Sequence, residues 1–174
     1  MAIYRYGKHV PNISESAWVS DSARVIGDVV VGEDCYIGHG AILRGDYGTI
    51  HLGPGTAIEE MAMMHIRPGG LLELGERVTV GHSATLHCRR VSDFAVIGIG
   101  AVVSFEAEVG RWAIVAEGCV VKSGTKIPDG KLVVGVPGQI AGDVQQHHKD
   151  FWTLGKQLYV DLAAQYPTEF ERIG

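Results

Sequence analysis

The chain has 174 residues, a formal net charge of -5 and a pI of about 5.9. That length suits one domain with a substantial core, and the acidic balance leaves no electrostatic footprint for a nucleic-acid partner. No basic cluster marks a lipid surface and no apolar run approaches a membrane span, so no membrane partner is expected.

The N-terminus, MAIYRYGKHVPN, lacks the apolar stretch of a signal peptide, and the three cysteines (Cys35, Cys88, Cys119) are odd in number and scattered. Both point to a reducing, cytoplasmic setting. The first fifteen residues carry no repeat and are expected to cover one end of the repeat region.

From about Ala17 an aliphatic side chain recurs every sixth residue: Val19, Val25, Val31, Ile37, Leu43. After an interruption the beat resumes as Val91, Ile97, Val103, Val109, Val115, Val121, Ile127 and Val133. The next position is often glycine, which accounts for many of the 24 glycines, roughly double ordinary usage. The fifth position is small, as in Ala23, Cys35, Ala41, Ala95, Ala101, Ala107, Ala113 and Cys119. A helix needs apolar recurrence near 3.6 residues and a flat antiparallel sheet needs strict alternation; neither fits. A chain that turns a corner every six residues fits. Three sides close a triangular prism of about 18 residues per coil, with the aliphatic residue filling the narrow interior. The expected fold is an all-β solenoid over about 17–136, within a single domain 1–174.

After Pro137 the beat stops. Over about 143–165 the period becomes helical, with Val144, Phe151, Leu154, Leu158 and Leu162 on one face. Asp143 with Gln146 reads as a capping box and Pro167 as a stop. The apolar stripe is expected to pack along the prism.

The interrupted stretch holds His65, His82 and His87. His65 follows Met64 and His87 follows Leu86, each just after the aliphatic position, and they are 22 residues apart. The hexad from Met64 to Leu74 is four residues too long. If IRPGGLLE bulges outward, the separation becomes one coil, and the two imidazoles stack at an inter-strand spacing of about 4.8 Å. Two nitrogens so placed can share an ion at about 2.0–2.1 Å. His82, five residues before His87, lies on the preceding side and cannot reach that ion within a rigid prism. A neighbouring copy could supply it, and a cyclic trimer is the simplest closed arrangement. Three imidazoles with an open fourth position match a catalytic zinc site. His9, His39, His51, His147 and His148 read as surface residues.

Three segments together resemble the γ-class carbonic anhydrase family of the hexapeptide-repeat superfamily: Arg44-Gly45-Asp46, Ile58-Glu59-Glu60 leading to His65, and Val80-Gly81-His82-Ser83-Ala84-Thr85-Leu86-His87. Close homologues of that family include proteins encoded beside carnitine and phenylacetate metabolism genes. The resemblance implies a left-handed parallel β-helix with a C-terminal α-helix. It also implies a homotrimer with interfacial metals held by His65, His82 and His87, and reversible hydration of CO2 to bicarbonate by a metal-bound hydroxide. Arg44 and Asp46 match the family's interfacial ion pairs, in which Glu60 could join. Zn2+ is the expected ion, with Fe2+ or Co2+ accepted by the same donors.

Where the family usually has Gln then Asp, this chain has Glu59 then Glu60. Glu59 can accept a hydrogen bond but cannot donate one as an amide does, and its charge is expected to raise the pKa of an activated water. Tyr47 stands where the family prototype has a glutamate and reads as a wall residue; Glu73 is the sole acidic residue of the loop. Cys88, beside a ligand, reads as a buried small residue. Glu59, Glu60 and Tyr47 are therefore the candidate catalytic residues, with low activity expected. The alternatives are a hexapeptide acyltransferase using coenzyme A, which needs only one histidine, an acyl-CoA thioester hydrolase, and a non-catalytic trimeric metal-binding scaffold.

Overall fold

Each hexad contributes two or three residues of β-strand, a corner turn, and one outward side chain between two inward ones. In the computed structural model, which describes residues 2–174, these pieces wind into a triangular β-solenoid. Coils stack in parallel register: Arg24 pairs with Ile42, Ile42 with Met63, Met63 with Thr85, Thr85 with Val102 and Val102 with Val120. The inward aliphatics form one continuous core from Val19 to Val133, and the small residues between them, Ala23 to Cys119, are fully buried. Each inward Val, Ile or Leu contributes roughly 1.5–3 kcal/mol by leaving water. The small positions are fixed by the opposite constraint, since an added methylene in so narrow a core costs about 1–3 kcal/mol. Burial pushes the Cys35 thiol up to about 11 and the Cys88 thiol up to about 12, so both are inert packing groups.

The three outer faces differ. One is built on Ile42, Met63, Thr85, Val102 and Val120, all half-buried and uncharged. A second presents His51, Glu73, Arg90, Glu108 and Lys126, linked by ion pairs Arg90–Glu73 (3.7 Å) and Lys126–Glu108 (3.3 Å). The third carries Trp18, Tyr36, Ala57, Thr79, Val96, Ile114 and Leu132 and lies under the C-terminal helix. We refer to these as the apolar, charged and helix faces.

The repeat begins earlier than the sequence periodicity suggests. Ala2–Tyr4 pairs in parallel with Arg24–Ile26, and Asn12–Ile13 with Val30–Val31, so the first residues add strands to the prism. At the other end the chain reverses: Gln139–Asp143 pairs antiparallel with Lys131–Val134 and closes that sheet.

The helix spans Gln146–Glu169, starting after Gln145, with Asp143 still in the closing strand and Pro167 inside the last turn. Its buried stripe differs from the expected one. Val144 is buried and Leu162 packs partly buried beside the prism as expected, but Phe151, Leu154 and Leu158 are 68%, 70% and 64% exposed. The side chains facing the prism are Trp152, Lys156, Tyr159, Ala163 and Tyr166, a 4-3-4-3 spacing. The reason lies in the sheet beneath. Trp18 and Tyr36 offer rings, against which Tyr166 packs at centroid distances of 4.4 and 5.8 Å and Tyr159 at 5.1 Å from Tyr36. Lys156 holds its Nζ 5.8 Å from the Trp152 ring centroid and donates to Thr79 Oγ1 (3.0 Å) and the Ala95 carbonyl (3.1 Å). No helix of the described residues is long and apolar enough to cross a membrane.

Candidate metal centre

The irregularities in the six-residue beat stack at one corner of the prism, where the apolar face meets the charged face. Nine residues lead from Leu43 to Leu52, ten from Met64 to Leu74 and five from Leu86 to Val91. The first detour is not a free turn. Arg44, Gly45 and Asp46 lie within the strand Ile42–Leu52, whose register against the preceding coil shifts across Asp46–Gly48. Glycines permit this, because a Cβ at Gly45 would run into the Asp28 carbonyl and one at Gly48 into the Gly70 carbonyl. The second detour is the loop after Ile66, held by Gly69 N–H to the Tyr47 carbonyl (2.8 Å) and by Arg67 to Glu106 (2.7 Å).

Despite these detours Met64 pairs with Leu86, so His65 and His87 stand one coil apart on the same edge. Their rings lie perpendicular with centroids 5.2 Å apart. Tyr47 packs on the outer side of His65 (5.8 Å) and Phe105 on that of His87 (4.7 Å), giving the pair apolar walls. Asp46 Oδ1 lies 3.2 Å from His65 Nε2, while its Oδ2 faces Arg44 at 3.6 Å. His87 Nδ1 and Arg44 Nε are buried without a hydrogen-bond partner. Burial, with His65 and Arg44 nearby, pushes the His87 pKa down and keeps its imidazole neutral.

His82 sits at the opposite edge of the apolar face. Each coil turns onto that face through one residue in the left-handed region: Gly40, Met61, Ser83, Gly100 and Gly118. The residue just before it projects from the corner, which places Glu60 and His82 on adjacent coils. Glu60 Oε2 lies 2.7 Å from His82 Nδ1, and Glu59 Oε2 lies 3.1 Å from His82 Nε2. Glu59 Oε2 also accepts the His82 backbone N–H at 3.0 Å. Burial pushes the Glu59 carboxyl up against the opposing pull of His82 and of the Tyr159 hydroxyl. At Glu60 burial also acts upward, but hydrogen bonds from Tyr36 and His82 outweigh it and the net direction is down.

Five residues of near-extended chain, on the order of 15 Å, separate His82 from His87. Among the described residues no cluster of three or more His, Cys, Asp or Glu side chains within the chain could hold a metal ion. Within one chain Arg44 pairs with Asp46 and does not meet Glu60, whose carboxylate is occupied by Tyr36 and His82. Residue order alone does not reveal Tyr159 and Lys156, the helix groups that act on Glu59. Their signal is the helix stripe 152, 156, 159, 163 and 166, which the more apolar leucines beside it mask.

No protein-family model matches the chain. It is 34% identical over 173 residues to "Gamma carbonic anhydrase 2, mitochondrial" of Arabidopsis thaliana, a match that covers 94% of this chain but spans only 62% of the plant protein's length. To the "Carnitine operon protein CaiE" of Escherichia coli it is 32% identical, over 95% of this chain and 84% of CaiE. A Bacillus cereus crystal structure described as a putative acetyltransferase superposes with a TM-score of 0.93 at 31% identity, covering 95% of this chain and 96% of that one. The chain therefore belongs to the hexapeptide-repeat, left-handed β-helix family, with relatives of the γ-carbonic anhydrase kind.

Proposed function

We propose that three copies pack head to tail through their apolar faces, that His65 and His87 of one copy meet His82 of the next around a divalent ion (zinc, iron or cobalt), and that the assembly hydrates CO2 reversibly to bicarbonate. The observation that carries this reading is the position of the histidines. The stacked pair and the third imidazole sit on opposite edges of the apolar face, whose ladder runs from Arg24 through Ile42 to Val120. A heterologous contact that closes by rotation joins such edges, and a threefold ring does so with every edge used.

The residues present suit the ion. His87 has a buried nitrogen without a protein partner and is held neutral, so no proton competes for its lone pair. Asp46 faces the other ring and can orient it, as carboxylates do behind metal-bound histidines. His82 Nε2 stands 3.1 Å from Glu59 Oε2, so the carboxyl lies beside a nitrogen that could be offered to the ion. A bound ion of this type lowers the pKa of water from 15.7 to about 7.

The remaining work falls to the chain itself. Tyr47 and Phe105 line an apolar approach suited to CO2. Glu60, fixed by Tyr36, sets the ring plane of His82, and Glu59 offers a buried carboxyl to orient the attacking water. The carboxyl at 59 adds charge where an amide would not, so slow turnover is expected.

Anaerobically purified protein should contain about one metal per chain and hydrate CO2 in stopped-flow assays, and His82→Ala should lose both. Mixing equal amounts of His82→Ala and His87→Ala chains should restore roughly a quarter of the sites, because each mixed ring retains one interface with all three ligands and homogeneous rings retain none. No metal after reconstitution, or no recovery in the mixture, overturns the reading.

The likeness to a structure described as a putative acetyltransferase favours a second reading, acyl transfer or thioester hydrolysis at the same cleft. Acyl-CoA turnover without CO2 hydration would select it. Metal bound with neither activity would leave a trimeric scaffold.

A further inference from the structure

The corner between the charged face and the helix face carries a column with one residue per coil: Asp34, Gly55, Arg77, Phe94, Trp112 and Gly130, every one in the left-handed region. Glycine adopts that conformation freely, whereas a bulky ring does so rarely and under strain. Phe94 (φ 59°) and Trp112 (φ 55°) nevertheless occupy it on successive coils. Their half-buried rings stack with centroids 5.0 Å apart and 8° between planes, outside the solenoid core and outside the aromatic cluster under the helix.

Side chains in this column lie over the residue one coil before. Arg77 Cγ is 3.0 Å from the place of a Cβ on Gly55, and Trp112 covers Phe94. The coil after Trp112 brings Gly130, where a Cβ would meet open space, so the column ends with one Trp112 face covered by no side chain above it. A surface cavity of about 430 Å³ opens there, lined by Arg111, Trp112, Asp129, Gly130 and Lys149. Lys149, from the start of the helix, holds its Nζ 5.9 Å from the Trp112 ring centroid, and the Arg111 guanidinium stands 5.3 Å from that of Phe94. Nearby Arg90, Lys126 and Lys131 are each paired with a carboxylate, whereas Arg111 and Lys149 have no such partner among the described residues. Asp129 Oδ1 accepts the Arg111 backbone N–H at 2.7 Å, which fixes that carboxylate at the rim.

We propose that this cavity binds a nucleotide, its base stacked on the open face of Trp112, its phosphates against Lys149 and Arg111, and a sugar hydroxyl donating to Asp129. A purely apolar ligand would leave two cations unused, and a bare anion would have no need of the ring. A planar base joined to an anion uses both, and the sugar between them accounts for the carboxylate. Stacking on an aromatic side chain suits any base, because every base has a π-face. The volume falls in the range of small-ligand sites, about 300–1,000 Å³. This corner lies across the prism from the apolar face, so the site stands apart from the histidines and from the carbonic anhydrase reading.

The test is isothermal titration calorimetry of the full chain with ADP, adenosine and inorganic pyrophosphate at low salt. ADP should bind with a submillimolar Kd, and adenosine and pyrophosphate, which lack the phosphates or the base, about tenfold or more weakly. Trp112→Gly suits the left-handed corner and removes the platform, and it should weaken ADP by about tenfold or more. Gly130→Asn tolerates the same backbone and places a side chain over the open ring face, with the same expected loss. Circular dichroism checks that both variants fold, and the second carries the test alone if the first does not. Lys149→Gln should weaken ADP by about fivefold at low salt and leave adenosine unchanged. No saturable binding at millimolar ADP overturns the proposal. So does pyrophosphate bound as tightly as ADP, which reduces the corner to a cationic patch, or ADP affinity unchanged in folded Gly130→Asn protein.

Discussion

The apolar and charged faces of the prism are built on the same inward hexads and diverge entirely in their outward residues. Under the charged row lie Leu52, Leu74, Val91, Val109 and Ile127; under the apolar row lie Leu43, Met64, Leu86, Val103 and Val121, and both inner sets are buried. The inward code therefore sets the solenoid and is silent about assembly. On the charged face, alternating Glu73, Arg90, Glu108 and Lys126 form cross-strand pairs worth a few tenths of a kcal/mol each, enough to keep the face solvated and unpaired. The apolar face has no such ladder.

The contrast breaks most sharply with one charge. Val102→Glu at the centre of the apolar face should dissociate the proposed trimer to monomers in analytical ultracentrifugation and abolish the proposed metal binding, because an unpaired charge buried in an interface costs several kcal/mol. Arg90→Glu on the charged face should leave the mass unchanged. If Val102→Glu remains trimeric, the apolar face is not the contact.

The helix face is the intermediate case, an outward row that its own chain covers. Covering it buries Lys156, and burial pushes that amine down to about 7, with Arg77 adding to the shift and Glu59 opposing it. The ordinary lysine value is near 10.4. Between these two pH values the unfolded chain binds the proton and the folded chain does not, so stability rises with pH. The slope is at most about 1.4 kcal/mol per pH unit, starting near pH 7 and ending near pH 10. Below pH 7 the cost of charging the buried amine is fully present. Denaturant titrations at pH 7 and 9 should show a gain of up to about 2 kcal/mol in the wild type that is absent in Lys156→Met. Equal gains in both proteins would remove Lys156 as the cause.

The same three faces decide how much is legible in the sequence. Inward positions repeat strictly because a prism interior admits one solution, so the solenoid and the one-coil separation of His65 and His87 can be counted directly. Outward positions answer to whatever covers them. The helix stripe is obscured for that reason: Lys156 is buried against Thr79 and Tyr159 half-buried against Tyr36, while Phe151 and Leu158 point away from the prism. The early coils escape the count because Ala2–Tyr4 and Asn12–Ile13 pair as strands without carrying a full hexad. Glu60 cannot be tied to Tyr36 by spacing alone, and within one chain the fold joins the two.

At the leading edge of the apolar face Glu59→Gln offers a finer probe. The amide can still accept the His82 backbone N–H while removing a negative charge beside the proposed ion. If that charge suppresses the nucleophile, kcat/KM for CO2 hydration at pH 7 should rise by up to about tenfold, the effect of roughly one pKa unit, and the pH profile should move downward. Unchanged or lower activity would mean that the carboxyl serves the reaction as it stands.

The same edge supplies the smallest expected effect. Of its five left-handed corner residues, Gly40, Gly100 and Gly118 adopt that conformation at no steric cost, whereas Met61 (φ 63°) and Ser83 (φ 60°) do not. These two exceptions come directly after Glu60 and His82. A side chain in this region costs about 1–2 kcal/mol, partly offset by the extra unfolded-state entropy that glycine brings. Ser83→Gly should therefore stabilise the fold by about 0.5 kcal/mol in urea titrations. If the strained corner also fixes the approach of His82 to a neighbouring copy, metal affinity should weaken as stability rises. A gain in stability with affinity unchanged would show that Ser83 bears strain without directing the ligand.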